Sequence, residues 1–316
     1  MRLPRALLGI ALGVSAGLAR AEAPEPVVSI AFVGDVMLAE SIGPQIRRGR
    51  DPFAPFAALL DSADIRVGNL ECVVATRGEA EPDKPYTFRA HPRVLKLLKR
   101  HFDALGLAIN HSGDYGPVAF GEMLGRLDHA GIAYFGGGSD LARAHAPLIV
   151  ERKGLRIALL GYNEFFPRSF EADVDKAGIA WSEDEQVRFD IANARSRHRA
   201  DLVIPFMHWG WEHEPLAGTR QRQLARLMID AGADAVIGGH PHVVQDYEEY
   251  RGKPIIYSLG NFVFDGFAEP DNNTGWLLRM ELDRRGVRNW QVTVARIDRH
   301  GIPHPATETG PAYIRR

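Results

Sequence analysis

Apolar runs alternate with amphipathic stretches along most of the chain, a pattern that predicts strands and helices in turn. Residues 27–33 read as a buried strand ending at Gly34-Asp35, and 65–67 as a strand that stops at Gly68-Asn69. Between them 55–61 predicts a short helix, and after the second strand 92–100 predicts another, with proline at a tolerated first-turn position. Residues 104–109 read as a strand ending at Asn110-His111, followed by a helix that opens at Gly116-Pro117 and stops at Gly131. Strands follow at 132–135, 148–150, 156–160, 202–207 and 235–237, with helices at 183–199 and 220–231. After His240 the helices cease, and 243–250, 255–259, 276–282 and 287–297 read as consecutive strands with hairpin-type breaks at Arg251-Gly252 and Arg285-Gly286. No repeat or long linker divides the chain, so one α/β domain over 27–300 with a C-terminal tail at 301–316 is expected.

The chemistry falls where these strands end. Asp35, Asn69, Glu71, Asn110, His111, His208, His240 and His242 all lie at or just past the carboxyl end of an expected strand. Ligands of open α/β sheets bind there, because the loops converge on one crevice. Carboxylates, an amide oxygen and neutral imidazoles are donors preferred by manganese, zinc and iron. Each residue also has an ordinary use: Asp35 and Asn69 suit turns or caps, and a lone His208 suits a hydrogen-bonded loop. Their coincidence at so many strand ends favours a site holding one or two divalent metal ions.

Composition narrows the setting. Hydrophobic residues make up 45% and charged residues 25%, which excludes wholesale disorder. A formal charge of -2 lacks the basic excess of a general nucleic-acid binder, so no nucleic acid is indicated. Arg2 and Arg5, an apolar run at 6–18 and Ala19-Arg20-Ala21 form a signal-peptide pattern over 1–21. Export to the periplasm or outside the cell is therefore expected, with an uncleaved membrane anchor as the alternative. The single cysteine, Cys72, excludes an internal disulfide and is expected to be buried and inert.

Six ordered segments carry a resemblance: Gly34-Asp35-Val36-Met37-Leu38, Gly68-Asn69-Leu70-Glu71, Asn110-His111-Ser112-Gly113-Asp114-Tyr115-Gly116, His208-Trp209-Gly210, Gly238-Gly239-His240-Pro241-His242-Val243, and Tyr257-Ser258-Leu259-Gly260-Asn261 running on to Asp265. The chain resembles the CapA-type poly-γ-glutamate capsule biosynthesis proteins, of the calcineurin-like metallophosphoesterase superfamily. The resemblance implies a four-layer α/β/β/α sandwich of two mixed sheets. It implies Asp35 and Glu71 as carboxylate ligands, Glu71 bridging; Asn110, His208 and His240 at one metal; His242 joining Asp35 at the other; and His111 beside the leaving group. Three positions depart from the pattern: Met37 and Gly239 stand where histidines are usual, and Glu71 replaces an aspartate.

Hydrolysis of a phosphorylated or polyanionic substrate by cation-activated water is the implied chemistry. Asp114 could orient His111 or cap the following helix. Trp209, Trp211 and Glu212 could line the cleft, though packing is the ordinary use of the tryptophans, and Asn261 suits a supporting or substrate-contact position. Two other functions fit the same residues: a non-hydrolytic polyanion-binding accessory to capsule-synthesis membrane proteins, and a metal-dependent amide hydrolase of cell-envelope material.

Overall fold

The computed structural model describes residues 25–166 and 168–315, which build two mixed sheets packed face to face. The expected leader, 1–21, lies outside the described residues. Strand runs are apolar at successive positions because both faces of each sheet are covered. In the strand Val28–Val36, Ile30 and Phe32 enter a core shared with Ile204 and Phe206 of the opposite sheet, with the Phe32 and Phe206 rings edge-on at 5.9 Å. Ala31 and Val33 point the other way, into a core with Leu98, Phe120 and Met123 from the helices Leu95–His101 and Gly116–Ala130. In the second sheet Leu160 and Val203 pack on Ile191, Leu224 and Met228 of the helices Asp184–Ser196 and Thr219–Asp230. Alternation along each strand thus produces four layers: helices, sheet, sheet, helices.

The first sheet runs Pro303–Ile314, Gly286–Ile297, Thr274–Asp283, Val28–Val36, Ile65–Leu70, Ala104–Gly106 and Ala133–Phe135, and Asn261–Val263 pairs with the end of Val28–Val36. The second runs Tyr247–Tyr250, Lys253–Ile256, Val236–Gly239, Leu202–His208, Leu155–Asn163 and Leu148–Arg152. Parallel neighbours end together. Asp35 is in register with Asn69 and Asn261, and His208 with Gly239 and Asn163. The functional residues of both sheets therefore meet at one edge of the sandwich.

Several elements differ from expectation. The first strand continues through Gly34 and Asp35 to Val36, because Asp35 N–H donates to Gly260 O at 2.9 Å. Only glycine fits at 34, since a Cβ there would lie 2.0 Å from Gly260 O. The strands expected at 104–109 and 243–250 are shorter, Ala104–Gly106 and Tyr247–Tyr250, and the residues trimmed from each form loops bordering the site. The expected tail at 301–316 holds the strand Pro303–Ile314, paired antiparallel with Gly286–Ile297. It forms the edge of its sheet, where proline's missing N–H is tolerated. The short helix Ile42–Arg47 carries no periodic signal long enough to read.

Candidate metal centre

Asn69 lies at the middle of the site. Its Nδ2 donates to Asp35 Oδ1 at 2.7 Å and Glu71 Oε2 at 3.1 Å, and lies 3.3 Å from His208 Nδ1. Both carboxylates are fully buried. Around His208 Nε2 stand Asn110 Oδ1 at 2.7 Å, His240 Nδ1 at 3.1 Å and Glu71 Oε1 at 3.4 Å. His242 Nδ1 lies 2.9 Å from Asn261 Oδ1 and 3.3 Å from Asp35 Oδ2. His240 and His242 adopt φ of 94° and 56°, which L-residues rarely hold outside over-determined sites.

Lone pairs outnumber hydrogens here. Glu71 Oε1 and His240 Nε2 are buried without a hydrogen-bond partner, a costly arrangement in the absence of a compensating charge. Donor atoms of Asp35, Glu71 and His208 lie within 4.8 Å of one another, as do those of Glu212, His240 and His242. Burial and the neighbouring charges of His208, His242, His111 and His213 hold the His240 pKa well below the ordinary histidine value, so its ring is neutral and able to donate a lone pair. Burial opposes charge on Asp35, but the hydrogen bond and charge of His242, then His208 and Asn69, outweigh it and lower its pKa. Burial likewise opposes protonation of His242, which the hydrogen bond and charge of Asp35 and the charge of Glu71 raise to about 9. The donor set fits a divalent cation.

His111 stands beside this cluster. Its Nδ1 lies 2.7 Å from Asp114 Oδ2, which also accepts from Phe88 N–H at 2.6 Å. Lys84 forms an ion pair with Asp114 Oδ1 and donates to Asn110 O at 2.8 Å. Asp114 thus orients His111 and does not cap the helix Gly116–Ala130, whose N-cap position is Tyr115. A cavity of about 440 Å³ opens here, lined by His111, His242, Glu212, His213, Tyr86 and Phe264 among others.

The structure therefore brings together Asp35, Asn69, Glu71, Asn110, His111, Asp114, Glu212, His208, His240, His242 and Asn261. Trp209 is the exception. Its ring is 1% exposed, its Nε1 donates to Tyr257 O at 2.8 Å, and it belongs to the outer core of the second sheet, away from the cleft. It leaves the site because it immediately follows the strand end at His208 and still obeys strand alternation, pointing opposite to His208. Trp211 is exposed and edge-on to Phe165, whose ring lies 3.9 Å from that of His240. Sequence reasoning misses Lys84, Phe165, His213 and Asn272. Asn272 Nδ2 donates to His242 O at 3.1 Å and lies 2.9 Å from His213 Nδ1. No spacing marks any of the four.

Residues 29–266 match the family described as Bacterial capsule synthesis protein PGA_cap. The chain belongs to this family. It is 32% identical over 275 residues to the PGA biosynthesis protein CapA of Bacillus subtilis (strain 168), covering 85% of this chain and 71% of that protein. It is 30% identical over 317 residues to the Capsule biosynthesis protein CapA of Bacillus anthracis, covering 95% and 76%. Among solved structures, Haemophilus influenzae NAD nucleotidase shares 13% identity at a TM-score of 0.46, covering 90% of this chain and 54% of that one, a likeness that carries no argument about chemistry. The PGA_cap match includes all the metal-type donors of the site, from Asp35 to His242.

Proposed function

We propose that this PGA_cap protein is an exported, metal-dependent hydrolase that serves capsule or poly-γ-glutamate synthesis, cutting a phosphoester. The observation that carries the proposal is the buried excess of lone pairs at Glu71 Oε1 and His240 Nε2, set directly beside the His111–Asp114 pair. When bound, one or two divalent cations (manganese, zinc or iron) would lower the pKa of a water and polarise the phosphoryl oxygen. Asp35, Glu71, Asn110, His208, His240 and His242 would hold them. Asn69 keeps the two carboxylates turned toward each other, and Asn261 fixes the His242 ring. With Nδ1 tied to Asp114, His111 presents Nε2 as the ring nitrogen free to deliver a proton to the departing oxygen.

One observation favours a second reading of the substrate. Glu40, Glu212 and Asp265 line the cavity, and among the described residues no lysine or arginine does, so an extended polyanion meets like charge beyond the cations. This supports an amide hydrolase of cell-envelope material over a non-hydrolytic polyanion binder. The names of the relatives support a place in capsule or poly-γ-glutamate synthesis, where capsule-synthesis membrane proteins are the proposed partners, and the leader pattern at 1–21 supports export.

The test is metal content together with turnover of p-nitrophenyl phosphate, bis-p-nitrophenyl phosphate, γ-glutamyl amides and muropeptides, on wild type and His111→Ala. Ester turnover lost in His111→Ala supports the first reading, and amide turnover alone supports the second. Bound metal with no turnover of any substrate refutes both.

A further inference from the structure

We propose that Glu212 supplies a carboxylate donor to the cation position that Met37 leaves without its expected histidine, a reading that rests on the metal centre described above. Met37 is fully buried in the core, and its Sδ accepts from Ala39 N–H at 3.1 Å, so the thioether is committed to packing. A substitute donor has to reach the His242 side of the centre from elsewhere.

The turn after the strand Leu202–His208 is built to bring one. Gly210 takes φ +80°, a conformation glycine adopts without strain, and so lets the chain reverse at this point. His213 N–H then donates to Pro241 O at 2.8 Å. That bond ties the turn to the loop that carries both His240 and His242, with Glu212 held between. Its carboxylate and one ring nitrogen from each imidazole lie within 4.8 Å of one another. Donors about 2.0–2.2 Å from a common ion are separated by up to about 4.4 Å, so a small side-chain adjustment closes the set.

Two further observations point to a ligand. His240 Nε2 is buried with no partner. Among the described residues, the Glu212 carboxylate has neither a hydrogen bond nor an ion pair, although it faces this imidazole pair. Glu212 is also the exposed member of its group and borders the cavity, so the position it completes exchanges its ion more readily than the buried set of Asp35, Glu71 and His208. The two positions are therefore unequal, and they group His240 with His242 and Asp35 with His208, where the resemblance pairs His240 with His208 and His242 with Asp35.

Zinc titration by isothermal calorimetry, with zinc content measured after gel filtration, tests this without any turnover assay. Loss of the hydrolase reading is thus distinguishable from loss of this one. Two ions per chain are expected, and Glu212→Gln should weaken the weaker site by about tenfold or more while shifting the tighter one less than about twofold. Met37→His in the Glu212→Gln background should restore the weaker site. Because Met37 is a core residue, Glu212→Asp provides a second variant with an unaltered core, expected to bind between wild type and Glu212→Gln. A single ion per wild-type chain overturns the proposal. So do wild-type affinities at both sites in Glu212→Gln and Glu212→Asp.

Discussion

Replacing Lys84 by methionine keeps the aliphatic stem and removes the ammonium, which isolates what the ion pair with Asp114 contributes. The side chains are 17% and 0% exposed, so the pair is screened far less than a surface one. A hydrogen bond to a charged group contributes about 1.5–3 kcal/mol, and breaking a fully buried pair costs about 3–5 kcal/mol. Asp114 retains Phe88 N–H and His111 Nδ1 as partners, while Asn110 O loses its Lys84 donor. These opposing considerations place the loss at about 2–3 kcal/mol. Urea unfolding of Lys84→Met, Asp114→Asn and the double variant yields the coupling energy directly. A coupling of about 1.5 kcal/mol or more is expected. A value under about 0.5 kcal/mol, within the ordinary error of such cycles, would refute the assignment of Lys84 as the ion-pair partner that holds Asp114 beside His111.

The remaining predictions concern other parts of the fold. Burial alone would raise the Glu122 pKa, but hydrogen bonds from the Thr76 and Arg126 side chains and from the Thr76 and Arg77 backbone N–H groups lower it to about 2. Because the folded value is depressed, this stabilisation is fully present above the ordinary glutamate value of 4.5 and is lost as pH falls toward 2. The stability difference between wild type and Glu122→Gln, followed by urea unfolding, should therefore shrink across that window; a constant difference would count against these hydrogen bonds as its source. Cys72 is fully buried and its thiol is pushed up to about 12, chiefly by burial, so Ellman's reagent should leave it unmodified at pH 8 until the protein is unfolded. Asn69→Leu should lower zinc affinity by about 10- to 100-fold without removing a ligand, since it frees the two carboxylates from a shared amide. Unchanged zinc affinity in a folded variant would remove Asn69 from the site.

How much of this was legible depended on what fixes each residue. The donors could be read because parallel strands in one sheet end together, so a polar residue after an apolar run is committed to the same crevice as its neighbours. The register of Asp35 with Asn69 and of His208 with Gly239 is that commitment in the folded chain. The edge strand Pro303–Ile314 could not be read, because Pro303, Pro305, Gly310 and Pro311 argue against a strand everywhere except at a sheet edge, and edges are a property of the whole sheet. Lys84 was invisible for a similar reason: its partner is thirty residues away and both sit outside regular elements.

Trp209 and Glu212 show the boundary most clearly. Both follow the same strand end, three residues apart; strand alternation turns Trp209 away from the cleft, but nothing in the sequence order brings Glu212 back toward the imidazoles. Tertiary hydrogen bonds then hold both placements, Trp209 Nε1 to Tyr257 O and His213 N–H to Pro241 O. The first anchors an indole in the outer core, and the second folds the turn back over the imidazoles. Strand ends can therefore be expected to disclose which loops carry chemistry, while the side chains within a loop that reach the centre are decided by the partners its backbone finds across the fold.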